Sequence, residues 1–250
     1  INMFKVPPTM GLLMADLGIG PALGGWLMTV PTVTGLVLAL PSGGLTDKFG
    51  PKKVGLFAIL SAAVGSLIGS FAPNIELLLF SRFVEGLSFA LIGVAVPAII
   101  ALWFSPEKSG APMAIWSGWV PIGMLAIFTG ANLFIAADDP GTWANVWWLS
   151  TALLVAAAVL YLVFVKAPEG YAAEDAPKIS LVEGMKSPST WLLAVVFAMF
   201  AFIMYAVSTF APTYCMEELG YSLEDSNLYS SLITVGMILG VVLMTPVLNK

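Results

Sequence analysis

Three ionisable side chains stand inside stretches that are otherwise apolar: Lys5, Arg82 and Glu85. At the centre of a membrane helix such a residue costs about 2.5–3.5 kcal/mol on insertion scales, so each needs a partner or a task. Lys5 precedes the first acidic loop by roughly ten residues, about 15 Å of helix, which puts it near mid-membrane. Asn2 lies one turn away. A cation at that depth needs an anionic substrate, a structural ion pair, or a route by which its long stem can reach the surface. Arg82 and Glu85 are spaced i, i+3, with Gly86, Phe89 and Gly93 on a similar face. Arg82 is only about five residues from the end of its span, close enough to snorkel outward. Glu85 could neutralise Arg82 or carry a coupling proton. Two cations against one carboxylate leave a surplus positive charge, which a bound anion or an acid elsewhere would balance.

The composition sets what must hold these residues. Of 250 residues 59% are hydrophobic and 10% charged, too few charges to cover a soluble domain of this size. The mean hydropathy of +0.95 agrees. There is no histidine, and the single cysteine, Cys215, excludes an internal disulfide. With neither the usual base nor the usual metal ligand, no nucleophile–base set and no metal set can be assembled. An enzyme is therefore not expected, and neither is a cofactor. The net charge of −5 gives no footprint for nucleic acid, because acids and bases are segregated by side. The first residue is Ile rather than Met and no signal peptide precedes it, so we read the chain as a fragment.

The apolar pattern predicts an all-α polytopic bundle, with one partial span in residues 1–15 and full spans at about 22–45, 54–72, 77–104, 111–137, 145–165, 189–214 and 227–248. Each full span is long enough for a hydrocarbon core of about 30 Å. Pro31, Pro41, Pro97 and Pro121 fall within spans, which is tolerated where neighbours satisfy the freed carbonyls. Small residues recur every four positions at Gly35, Ala39, Gly43, at Ser61, Gly65, Gly69, and at Gly236, Gly240, as close helix packing in lipid requires.

The loops at 46–53, 105–110 and 166–188 carry Lys48, Lys52, Lys53, Lys108, Lys166, Lys178 and Lys186. The opposite loops carry Asp16, Glu76, Asp138, Asp139, Glu217, Glu218, Glu224 and Asp225, with no Lys or Arg. The positive-inside rule assigns the first set to the cytoplasm and the protein to an inner (plasma) membrane. Residues 166–188 form the longest polar stretch and divide the chain. Ser180-Leu181-Val182-Glu183 has capping-box spacing, so a short helix is expected to run to Lys186.

A shift of 205 residues places Leu27, Thr29, Val30, Gly35, Val37, Leu38 and Pro41 on Leu232, Thr234, Val235, Gly240, Val242, Leu243 and Pro246. Asp16-Leu17-Gly18 is echoed by Glu218-Leu219-Gly220, and Pro8-Thr9 by Pro212-Thr213. Such a repeat makes span 7 a copy of span 1 and span 8 a copy of span 2.

Between spans 2 and 3 stands Gly43-Gly44-Leu45-Thr46-Asp47-Lys48-Phe49-Gly50-Pro51-Lys52-Lys53. Small residues end one span, charge marks the exit from hydrocarbon, and Gly50-Pro51 stops the helix in a hairpin. The order G-x-L-x-D-K-x-G-x-K-K resembles the signature loop between helices 2 and 3 of the major facilitator superfamily of secondary transporters. Pro51 stands where a basic residue is frequent there, and Lys48 where Arg is usual. The run Arg82-Phe83-Val84-Glu85-Gly86 resembles the family's helix-4 motif R-x-x-Q-G, with Glu85 for Gln. Residues 114–123, Ala-Ile-Trp-Ser-Gly-Trp-Val-Pro-Ile-Gly, with Asn2 and Lys5 ahead of Pro7 and Pro8, look more like the cyanate and nitrate/nitrite branch than the drug-antiporter branch. Trp116, Trp119 and Pro121 could equally do no more than shape and anchor their helix.

The resemblance implies residues 1–165 as an N-terminal six-helix half, 166–188 as a cytoplasmic linker, and 189–250 as the first two helices of a second half, with about four spans to follow. It also implies that helices 1, 4 and 7 face a central cavity, placing Lys5, Arg82, Tyr205, Ser208 and Thr209 opposite one another. Asn2, Lys5, Arg82, Glu85, Tyr205, Ser208 and Thr209 are thus the candidate substrate residues. Gly43, Asp47, Lys48, Gly50, Lys52 and Lys53 are the candidate conformational latch, in which Asp47 would meet the N-terminal dipole of a later helix. The expected function is secondary transport of a small inorganic or organic anion by alternating access, with a possible coupling proton. The alternatives are a proton-coupled exporter of hydrophobic compounds using Glu85, and a non-transporting receptor or channel. A channel would favour a ring of identical polar residues, and the sequence has none.

Overall fold

In the computed structural model of the chain, residues 1–105, 107–166 and 186–248 are described, 241–248 as backbone alone. The expected linker helix and Lys178 lie outside the described residues. Among those described, the architecture is all-α. Two 3-10 turns, Asn2–Phe4 and Pro7–Thr9, lead into α1 (Met10–Leu17). Then follow α2 (Pro21–Phe49), α3 (Pro51–Ser70), α4 (Ile75–Trp103), α5 (Gly110–Ser117), α6 (Trp119–Gly130), α7 (Trp143–Phe164), α8 (Pro188–Glu217) and α9 (Leu223–Leu248). Among the described residues, six segments are long and apolar enough to cross a membrane: Pro21–Phe49, Pro51–Ser70, Ile75–Trp103, Gly110–Leu133, Pro140–Phe164 and Pro188–Glu217. α9 adds a 26-residue helix.

Three expectations need correction. The first segment is not a regular helix end, since 3-10 turns replace its first half. Pro7 and Pro8 have no N–H to return to Met3 and Phe4, so an α-helical ladder cannot run through them. The turn between spans 2 and 3 stops the helix at Gly50-Pro51 as expected, but it is far tighter than the loop expected over 46–53. α2 continues through Asp47 and Lys48 to Phe49, and Gly50 alone turns the chain, at φ 83°, before Pro51 opens α3. A positive φ there favours glycine, and proline suits a first helical position. The fifth span is broken at Gly118, three residues before Pro121, and ends at Leu133 rather than 137.

The small-residue ridges explain the packing of α3 on α4 and on α7. A Cβ at Gly65 would lie 2.6 Å from Glu85 Cγ and 2.8 Å from its backbone nitrogen, and one at Gly69 would lie 2.5 Å from the Trp147 ring. Only glycine permits these approaches. Gly86 meets Pro31 and Thr34 of α2 in the same way, whereas Gly43, Gly236 and Gly240 have open space. Further contacts tie the bundle at its ends. Trp143 Nε1 donates to Asp16 at 2.8 Å. The Tyr161 hydroxyl donates to the Lys52 carbonyl at 3.2 Å. Asn227 of α9 donates to Asn132 Oδ1 at 2.7 Å and to the Pro8 carbonyl at 3.3 Å.

Candidate functional site

Glu85 is where the site closes. It projects from α4 opposite Gly65, and its carboxylate is shared between two cations. Lys5 Nζ donates to Oε1 at 2.6 Å, and Arg82 Nη1 donates to Oε2. Lys5 and Arg82 are fully buried and Glu85 is 3% exposed. Arg82 therefore does not snorkel, although its position in the span permits it. Its head turns inward because acceptors wait there.

Two of those acceptors have their origin in prolines. Pro31 leaves the carbonyl of Leu27 without its i+4 donor, and Arg82 Nε donates to that oxygen at 2.8 Å. Pro7 does the same to Met3, whose carbonyl receives Arg82 Nη2 at 3.0 Å. The Asn2 carbonyl accepts from Nη1 at 3.2 Å. One guanidinium thus serves three backbone carbonyls on two segments and one carboxylate, which its planar fork of five N–H groups allows. An unpaired buried carbonyl would cost about 1–3 kcal/mol.

Lys5 is saturated as well. Besides Glu85 it donates to Asn2 Oδ1 at 2.9 Å and Ser66 Oγ at 2.8 Å, using the three donors of an ammonium. Ser66 passes the chain on to the Trp147 carbonyl at 3.0 Å. The Trp147 ring centroid lies 4.5 Å from Nζ, within cation–π range. The cluster as a whole carries one surplus positive charge.

Asn2, Arg82 and Glu85 border a cavity of about 410 Å³ whose other walls include Ser88, Phe89, Trp119 and Ser150. The Trp119 ring stacks on Trp116 at 5.2 Å and lies 6.3 Å from Phe89. Ser150 Oγ is buried without a hydrogen-bond partner. Lys5 sits behind this wall rather than in it. Of the span-7 candidates, Tyr205 packs its ring 5.4 Å from Phe4. Ser208 and Thr209 are buried, and Ser208 Oγ is 3.9 Å from Met204 Sδ. None of the three lines the cavity or bonds to the charged cluster among the described residues.

Asp47, Lys48 and Lys53 are exposed, Lys52 is half-buried, and Asp47 has no hydrogen bond or ion pair among the described residues. Ser66, Trp147, Ser88 and Ser150 escaped the sequence reading. For the three serines a lone hydroxyl in an apolar helix is the only signal, and it does not separate a site from a back-bond to the helix; Trp147 takes part through its ring and its backbone carbonyl.

The comparisons with known proteins bear on the whole chain. The "Probable nitrate/nitrite transporter NarK2" of Mycobacterium tuberculosis (strain CDC 1551 / Oshkosh) is 25% identical over 240 residues, 93% of this chain and 58% of that protein. The galactose-proton symporter of Escherichia coli (strain K12) is 28% identical over 163 residues, 62% of this chain and 34% of that one. The crystal structure of a D-xylose-proton symporter matches with a TM-score of 0.65 at 12% identity, covering 94% of this chain and 62% of that one, a likeness of fold. The chain therefore spans under two thirds of the length of these proteins. The family model of the Major Facilitator Superfamily matches residues 1–250. The chain is a multi-pass membrane protein, and it belongs to the Major Facilitator Superfamily of transporters.

Proposed function

We propose that the full-length protein is a secondary active transporter of a small anion, inorganic or organic, working by alternating access. The observation that carries the reading is the buried Lys5–Glu85–Arg82 cluster with its surplus positive charge. Hydrocarbon does not accept such a surplus, and an anion entering beside Asn2 and Glu85 neutralises it. The name of the M. tuberculosis relative agrees with an anionic substrate, while the sugar-proton relative fits a coupled solute of another kind. Residues 1–165 are read as the N-terminal half and 189–250 as the opening of the second. Supporting this, the echoed Gly18 and Gly220 both take positive φ, 62° and 70°, at the ends of α1 and α8.

Lys5 acts in this mechanism by charge. Asn2 is its neutral partner, half-exposed and with an amide nitrogen that donates to nothing among the described residues. Uptake of labelled nitrate, nitrite and formate into proteoliposomes containing the full-length protein tests the reading. Lys5→Gln should abolish uptake while leaving the unfolding temperature in detergent within a few degrees, and Lys5→Arg should keep part of it. Wild-type uptake by Lys5→Gln would dismiss the anion.

A further inference from the structure

The surplus charge has a second possible remedy besides an anion: the cluster can lose a proton. Charge counting says which residue loses it. Arg82 keeps its proton under all conditions a protein meets. Protonating Glu85 would raise the net charge from one to two, the wrong direction. Only Lys5 can bring the cluster to neutrality by itself. A neutral amine at Nζ still has two N–H groups, enough for two of its three acceptors.

We infer that Lys5 is the coupling-proton carrier of the transporter: it holds a proton while the anion is bound and gives it up when the anion leaves, so that anion and proton move together. The inference rests on the anion reading above and adds the identity of the co-transported ion and its seat. Each state is then neutral. With anion, two cations face Glu85 and the anion; without it, Arg82 faces Glu85 alone. The proton leaves through Glu85 Oε1, 2.6 Å from Nζ, because Glu85 borders the cavity and Lys5 does not. Water in the cavity accepts it from the carboxyl, and Glu85 returns to the carboxylate.

Among the described residues, the surroundings of Lys5 hold no acid besides Glu85. From α4 it faces Glu85 and Arg82, from α3 the neutral Ser66, from α7 the Trp147 ring. Its own segment adds the neutral Asn2 amide. From α8 the Tyr205 phenol reaches only Phe4 and the field of Arg82.

The test uses the full-length protein in weakly buffered detergent with a pH indicator, and nitrate, nitrite and formate as probes. The wild type should take up as much as one proton for each anion bound. Its affinity should fall about tenfold per pH unit on the alkaline side, since the binding-competent form is the protonated one. Lys5→Arg should bind with an affinity independent of pH and take up none. Binding without proton uptake by the wild type would overturn the inference and leave the anion reading standing. Proton uptake on anion binding that persists in Lys5→Arg would overturn it in favour of Glu85 as carrier. Failure of the wild type to bind any of the three probes would remove the anion reading itself, and the inference with it.

Discussion

Arg82 shows how far a residue's role can depart from its type. An arginine bordering a cavity reads as a substrate contact, yet four of its hydrogen bonds go to Leu27, Asn2, Met3 and Glu85. Two of those acceptors exist because Pro31 and Pro7 cannot donate. Arg82→Gln should therefore destabilise the protein by about 3–5 kcal/mol, the cost of leaving a buried partner unpaired. Restoring one donor should recover part of this. With Pro31→Ala, position 31 regains an N–H aimed at the Leu27 carbonyl, and the double variant should be about 1 kcal/mol more stable than the sum of the single effects. Thermal unfolding in detergent measures the cycle, and strict additivity would separate Arg82 from the proline break.

Helix α2 is the element on which the latch depends. Because it runs unbroken to Phe49, Asp47 and Lys48 are held on a rigid helix end instead of a flexible loop. A carboxylate so placed can meet the N-terminus of another helix, an interaction worth up to about 2 kcal/mol when partly buried. Here Asp47 is exposed. In the full-length protein Asp47→Asn should slow transport severalfold while anion affinity, measured by titration, changes little. Equal loss of both would mean that Asp47 serves the binding site. The fifth span behaves differently, since its break at Gly118 lies next to the cavity wall formed by Trp119.

At the scale of the whole molecule, α8 and α9 should relate to the first segment and α2 by a two-fold-like rotation about the membrane normal. The matched glycine turns at Gly18 and Gly220 are the local sign of it. The equivalence is testable in an experimental structure of the full-length protein. Superposing residues 7–43 on 212–248 should bring Gly35 onto Gly240 and Pro41 onto Pro246. A register displaced by more than a turn would end the repeat. The contact of Asn227 with Asn132 and Pro8 already joins α9 to the first half.

Hydrocarbon makes part of this protein legible without coordinates. Because charge is scarce in it, Lys5, Arg82 and Glu85 stand out at once, and the segregation of lysines from acids marks the sides. Spans, the prolines inside them and the glycine ridges are local patterns, so a linear reading finds them. What joins the three charges is not local. Lys5 and Glu85 are 80 residues apart, and Lys5 and Ser66 are 61. The inward turn of Arg82 depends on which carbonyls two prolines on other segments leave free. Likewise the placement of Tyr205, Ser208 and Thr209 away from the cluster depends on how α8 meets the first segment. Helical periodicity says which face a residue occupies, while only packing decides what that face meets.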